Sequence, residues 1–386
     1  MRVLFVTGGG QATVFALAPL ATAVRAAGHS VFMAANHEVM PAVTESALPA
    51  VPVTESPLRR FISHDRQGRP VELPLGRPVA EQGAFTGRWF ARMAAESLPA
   101  LREFTARWRP DLVVGGTTTY AAALLARHLG VPYVRLAWDA IDARHVHPGA
   151  DRELAPELAL LGLAKLPEPD LFVDVCPPSL RPPEAAPAEP MRFVFGNRHR
   201  VLEPWMYTKG EGLRVCVTAG SQVTRDGGHR LFEFLTRAVR ELAPLDAEIL
   251  VAAPQALVAD VRSECRDVRR LRAGWLPLDV VAPTCDLLVH HGGGVTSLAG
   301  MCAGVPQVIV PGADMLADAA RRLAGYGAAI ALPTGDDRPG AVGAAARQLL
   351  SVRSHTARAG ELRAEIEALP TPHDTVPALE KLACRL

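Results

Sequence analysis

Leu287-Leu288-Val289-His290-His291-Gly292-Gly293-Gly294-Val295-Thr296-Ser297 is a short apolar run that meets glycines at once and then enters a helical pattern. Such a run is a buried strand closing on a tight turn. Glycines let backbone amides approach an anion, and the N-terminus of the next helix carries partial positive charge, so a diphosphate fits there. His290 and His291 add ring donors, while Thr296 and Ser297 add hydroxyls. A glycine turn also serves merely to reverse a chain. The paired histidines and the downstream Gly304-Val305-Pro306 favour the anion reading, which takes in Gly293, Gly294, Val295 and Thr296 as well.

Upstream, Gly274-Trp275-Leu276-Pro277-Leu278 precedes a helix. The Trp275 indole is either a core side chain or one wall of a slot for a planar base whose edge bonds the Leu276 backbone. Strands are expected at 213–218, 247–253, 287–290 and 305–310, the first followed by the small-residue turn Ala219-Gly220-Ser221. The first half of the chain has the same rhythm. Residues 3–7 form a strand ending in Gly8-Gly9-Gly10, a helix runs to Gly28, and 31–35 closes a βαβ unit. A helix at 85–108, a strand at 111–115, a helix at 120–129 and a strand at 133–137 follow. Both halves are therefore α/β with parallel sheets. Residues 52–85 show no steady period and are expected to form a long irregular loop that serves a ligand. An interdomain linker is placed at 196–212, dividing a first domain, 1–195, from a second, 213–370. At 371–386, Val376, Leu379, Leu382 and Cys384 share one face of an amphipathic helix that is free to dock on either domain.

A chain of 386 residues exceeds what one hydrophobic core organises, so two domains with a ligand cleft between them are expected. Lys plus Arg number 41 against 40 for Asp plus Glu, which gives no field for nucleic acid or an anionic membrane and points to a small-molecule client. The six cysteines contain no close pair with zinc or redox spacing, so buried reduced thiols and no metal site are expected. The first apolar stretch is too short for a signal peptide and no run spans a bilayer, which implies a cytoplasmic protein. Gly8-Gly9-Gly10 raises dinucleotide binding. Gln11-Ala12-Thr13 lacks the later glycine, however, and Asn36, not an acid, follows the second strand.

The strand Arg2–Thr7, Arg25-Ala26-Ala27-Gly28-His29, Gly274-Trp275-x-Pro277, His290-His291-Gly292-Gly293 and Gly304-Val305-Pro306 together resemble the bacterial natural-product GT-B glycosyltransferases over the whole chain. Segments 12–20, 85–93, 138–140, 202–207 and 278–283 resemble the olivosyltransferases of angucycline pathways, those of urdamycin and landomycin assembly. The resemblance implies two Rossmann-like domains facing across a cleft, the first for the acceptor and the second for the nucleotide sugar, with the C-terminal helix able to cross back. It implies an inverting, metal-independent hexosyl transfer in antibiotic biosynthesis without a cofactor. The expected partners are the donor dTDP-D-olivose and an aromatic polyketide, with a homodimer left open. Gly220 and Ser221 would then meet phosphates or ribose, and Gly10, Thr13, Phe61, Ile62 and Trp138 the acceptor. A plain turn with Ser221 as a helix cap is the other reading of that segment.

Two departures carry information. Many relatives have a basic histidine where Thr13 stands, and a hydroxyl cannot deprotonate an acceptor near neutral pH. Asp139 follows the expected strand 133–137 beside Trp138, and strand C-termini in open α/β sheets face the ligand crevice. A carboxylate partly stripped of water by an indole is a better base, so Asp139 is the expected base, with Asp142, His145 and His147 as neighbours that share the candidacy. Relatives also place an Asp-Gln pair where Met315 and Leu316 stand. Groups set for sugar hydroxyls penalise sugars lacking them, so this apolar pair points to a 2,6-dideoxyhexose, unless it is simply core packing. An O-glycoside is the preferred product and a C-glycoside the alternative. A sugar-nucleotide epimerase and a non-catalytic partner protein are the more remote readings.

Overall fold

The computed structural model describes residues 1–74, 76–139, 143–198, 200–221 and 229–384. Contact between residues divides them into two units. One comprises Met1–Cys176, Pro182–Gly196 and Leu369–Leu386, the other Pro177–Arg181 and Asn197–Ala368.

The first unit is built on a seven-stranded parallel sheet of β1 (Arg2–Val6), β2 (Ser30–Asn36), β3 (Ala50–Thr54), β4 (Leu112–Gly116), β5 (Tyr133–Leu136), β6 (Leu171–Asp174) and β7 (Glu189–Pro190), in the order β3-β2-β1-β4-β5-β6-β7. Val3, Leu4, Phe5 and Val6 are all buried, as expected of a central parallel strand covered on both faces. The second unit has six parallel strands, β8 (Arg214–Thr218), β9 (Glu248–Ala252), β10 (Leu271–Gly274), β11 (Leu287–His290), β12 (Gln307–Ile309) and β13 (Ala329–Ala331), ordered β10-β9-β8-β11-β12-β13. Both sheets are Rossmann-like. In each, the order reverses beside the first strand, between β1 and β4 and between β8 and β11.

The expected loop at 52–85 is narrower than its composition implied. It contains part of β3 and the helix Leu58–Ser63, and the helix Val79–Arg107 begins ahead of Phe85. Strands β3, β6, β7, β10 and β13 were not foreseen. β7, β10 and β13 lie at sheet edges and β6 next to one, where short, partly exposed strands carry little hydrophobic pattern. Pro52 within β3 is tolerated because β3 is also an edge.

The C-terminal helix Pro372–Ala383 opens with a capping box between Thr371 and Asp374 and packs on the helix Gln11–Ala26 of the first unit. Val376, Leu379 and Leu382 are buried there, and His29 Nε2 meets Glu380 Oε1 at 2.7 Å. Cys384, expected on the same face, is exposed because the helix ends before it. Residues from Asn197 pack with the second unit. Arg214 Nη1 donates to the carbonyls of Trp205 and Thr208 at 3.1 and 2.9 Å, fixing the short helix Pro204–Tyr207.

Candidate functional site

In open parallel sheets a ligand lies outside the strand C-termini where the strand order reverses. In the second unit that place is the end of β8 and β11, paired with Thr218 opposite His290. The turns that follow carry Gly220 at φ +83° and Gly292 at φ +84°, a backbone that side chains rarely adopt. The His291 ring lies between the two turns. A Cβ at Gly220 would stand 2.7 Å from its Cε1, and one at Gly293 would stand 2.7 Å from its Nε2. Glycine is therefore required at 220 and 293 by the ring as much as by any ligand. Gly293 is the N-cap of the helix Gly294–Ala303, and no side chain caps it, so the first-turn amides are left to an anion.

The paired histidines divide their work. His291 is half-buried, its Nδ1 is enclosed without a hydrogen-bond partner, and burial pushes its pKa down to about 4 against the opposing pull of the Thr218 carbonyl. At neutral pH it is an uncharged ring with a polar atom to satisfy. His290, expected to bind the nucleotide sugar, is fully buried with both nitrogens engaged: Nε2 with Gln307 Oε1 at 2.8 Å, and Nδ1 accepting from the Gly292 amide at 3.1 Å. The ring has no exposed surface, and its nitrogens serve the protein's own turn and β12. Two adjacent residues at a strand end point to opposite faces, which is why one ring enters the core and the other the turn.

Val295 and Thr296 are buried in the first turn of the helix, and Ser221 is half-buried beside Gly220. Met315 and Leu316 begin the helix Asp314–Tyr326, with the Leu316 Cβ 3.6 Å from where a Cβ of Gly292 would be. Leu316 thus flanks the glycine turn, with Met315 its neighbour in the first turn of that helix. Trp275 is half-buried just past β10. Its Nε1 donates to Asn197 Oδ1 at 3.2 Å, the Arg198 guanidinium lies 5.6 Å from its ring centroid, and Arg200 Nη1 donates to its carbonyl at 2.9 Å. Leu276 is buried. Asn197, Arg198, Arg200 and Gln307 were not foreseen, since none stands in a recognisable spacing.

In the first unit the corresponding place is the end of β1 and β4. Asn36 clamps the turn, its Oδ1 accepting from Gly9 N at 3.1 Å and its Nδ2 donating to Gly9 O at 3.3 Å. Gly10 caps the helix Gln11–Ala26. Thr13, expected at the acceptor, is buried and spends its hydroxyl on the carbonyls of Gly8 and Gly10 at 3.1 and 2.8 Å, so it shapes the turn instead. Phe61, also expected at the acceptor, is a core side chain. At 3% exposure it packs into the hydrophobic core with Phe90 and Met93, while Ile62 is half-buried beside it. Trp138 is half-buried past β5, its indole 3.0 Å from where a Gly116 Cβ would be, across the end of β4. Asp139 follows it, 5% exposed. Ala140 and Asp142 lie outside the described residues. His145 is exposed. His147 is half-buried edge-on to Tyr120, its pKa lowered by burial and by Arg135 and raised by the Thr117 carbonyl. No group of His, Cys, Asp and Glu fit to hold a metal occurs among the described residues, and none of their helices is long and apolar enough to cross a membrane.

A chain with two such sheets has the architecture of the GT-B glycosyltransferases. Residues 22–220 match the N-terminal domain of the erythromycin biosynthesis protein CIII-like family, and residues 236–382 match its C-terminal domain. The L-demethylnoviosyl transferase of Streptomyces niveus is 34% identical over 381 residues, 96% of each chain. The 3-alpha-mycarosylerythronolide B desosaminyl transferase of Saccharopolyspora erythraea is 30% identical, covering 99% of this chain and 98% of its own. The Streptomyces sp. SF2575 glycosyltransferase SsfS6, solved with thymidine diphosphate, superposes with a TM-score of 0.86 at 32% identity over 99% of each chain. The protein belongs to the erythromycin biosynthesis protein CIII-like family and is a glycosyltransferase.

Proposed function

We propose that the protein transfers D-olivose, a 2,6-dideoxyhexose, from its thymidine diphosphate donor to an angucyclinone-type aromatic polyketide in antibiotic biosynthesis, with inversion and formation of an O-glycoside. The observation that carries the donor reading is the His291 cradle between the Gly220 and Gly293 turns, ahead of an uncapped helix. The SF2575 relative, solved with thymidine diphosphate, supports that choice of nucleotide. In this reading Asp139 takes the proton of the acceptor hydroxyl, and the oxygen attacks the anomeric carbon from the face opposite the leaving group. The bond to the diphosphate oxygen breaks, and the turn receives the growing charge on the leaving diphosphate. Incubation with synthetic thymidine diphosphate olivose and an angucyclinone, followed by mass spectrometry, tests the proposal. Absence of a glycosylated product sinks it, and a product that survives acid treatment is the C-glycoside instead.

Leu316 sets an apolar group beside the turn and Met315 precedes it on the same helix, in keeping with a sugar short of hydroxyls. Exchanging Met315-Leu316 for Asp-Gln is expected to shift the ratio of kcat/KM from olivose toward glucose donors, because polar groups left unpaired by a deoxysugar are costly. An unchanged ratio in a folded variant assigns the pair to packing.

A further inference from the structure

Gly292, His290, Gln307 and Ser297 form a hydrogen-bond chain that ties the glycine turn to β12 and to the next helix. The Gly292 amide donates to His290 Nδ1 at 3.1 Å, His290 Nε2 meets Gln307 Oε1 at 2.8 Å, and Gln307 Nε2 donates to Ser297 O at 3.1 Å. Each link dictates the next. An amide whose nitrogen serves Ser297 presents its oxygen to the ring, so His290 Nε2 holds the proton and Nδ1 stays bare to receive the Gly292 amide. Gln307 is 1% exposed, and its amide lies 2.6 Å from where a Cβ of Gly300 would stand, so the helix leaves room for it. Burial lowers the His290 pKa to about 3, which keeps the ring in this neutral form.

We propose that Gln307 is a positioning residue for the donor: by setting the His290 tautomer it holds Gly292 at its positive φ, and with it the backbone that the diphosphate meets. The inference rests on the assignment of this turn to the donor. Gln307→Glu is the discriminating change. Protonated, the introduced carboxyl accepts from His290 Nε2 and donates to Ser297 O, reproducing both bonds. Ionised, it sets an acceptor against the Ser297 carbonyl and draws a proton onto the ring, where a proton on Nδ1 would oppose the Gly292 amide. Burial raises the pKa of a carboxyl. The intact arrangement therefore persists at low pH and is lost as pH rises through that raised pKa. Among the described residues, the titratable or charged groups on the elements packed against this face include His291, Cys216 of β8 with its neighbour Cys285, Cys302, and Arg363, which pairs with Glu367. They are common to parent and variant, so the difference between the two pH profiles reports the new carboxyl.

Thymidine diphosphate affinity, measured by calorimetry from about pH 5 to about pH 8.5, is expected to be parent-like for Gln307→Glu at the acid end and about tenfold weaker at the alkaline end, the loss expected for one buried hydrogen bond. With the donor sugar, KM should rise far more than kcat falls. A pH-independent difference overturns the proposal. His290→Asn carries an oxygen where Nδ1 stands and should bind about tenfold more tightly than His290→Leu, which carries no acceptor. Equal losses in that pair overturn the proposal too, and the pair decides if Gln307→Glu does not fold. Should the parent itself fail to bind thymidine diphosphate, the donor assignment falls first and this inference with it.

Discussion

Replacing Asp139 with asparagine is expected to lower turnover by about 10² or more while the fold and donor binding persist. Asp139 is 5% exposed, three residues past Leu136 at the C-terminal end of β5, and follows an indole that lies across the end of β4. Thr13 has committed its hydroxyl to Gly8 and Gly10, so it cannot share the task. An amide is nearly isosteric with a carboxylate, and packing should survive the change. The loss then belongs to the chemical step and appears in kcat. Acceptors of graded acidity separate proton transfer from positioning, because an ionised phenol needs no base. If the variant turns over phenols of high and low pKa at parental rates, Asp139 is not the base, and Asp142 and His145 come next.

His291→Ala is expected to weaken thymidine diphosphate binding about 10- to 100-fold, since a hydrogen bond to a charged group contributes roughly 1.5 to 3 kcal/mol. Acceptor affinity should remain unchanged. The ring is held by two glycine turns and keeps an unpartnered nitrogen, so its removal takes away a donor and also the body against which the turns rest. Calorimetry on parent and variant with thymidine diphosphate, and with the acceptor alone, measures both effects. Donor affinity and turnover within a factor of two of the parent would mean that the phosphates lie elsewhere.

The central strands could be read from sequence because their residues are apolar on both faces and end in glycine, as Val3 to Val6 and Leu287 to Val289 do. The edge strands could not. Glu189-Pro190 and Ala329 to Ala331 are too short to show a period, and their pairing is decided by neighbours far along the chain. At the glycine turn after β11 the motif gave His290 and His291 one role. Only the positions of Gln307 and of Gly220 beside the rings separate a core histidine from one that faces the turn. Thr13 and Phe61 show the same limit. A residue type can suggest a contact, but burial and an already satisfied hydroxyl decide whether anything is left to make it with.

Because Pro372–Ala383 rests on Gln11–Ala26, two helices far apart along the polypeptide complete one another. During synthesis the apolar side of Gln11–Ala26 waits until the whole of the second unit has been made, exposing it to wrong partners for that interval. Exchange of halves between related enzymes meets the same constraint. A hybrid joined once, near residue 196, sets a foreign tail against this helix, whereas carrying Leu369–Leu386 along with the first unit keeps Val376, Leu379 and Leu382 with the surface they were selected to cover.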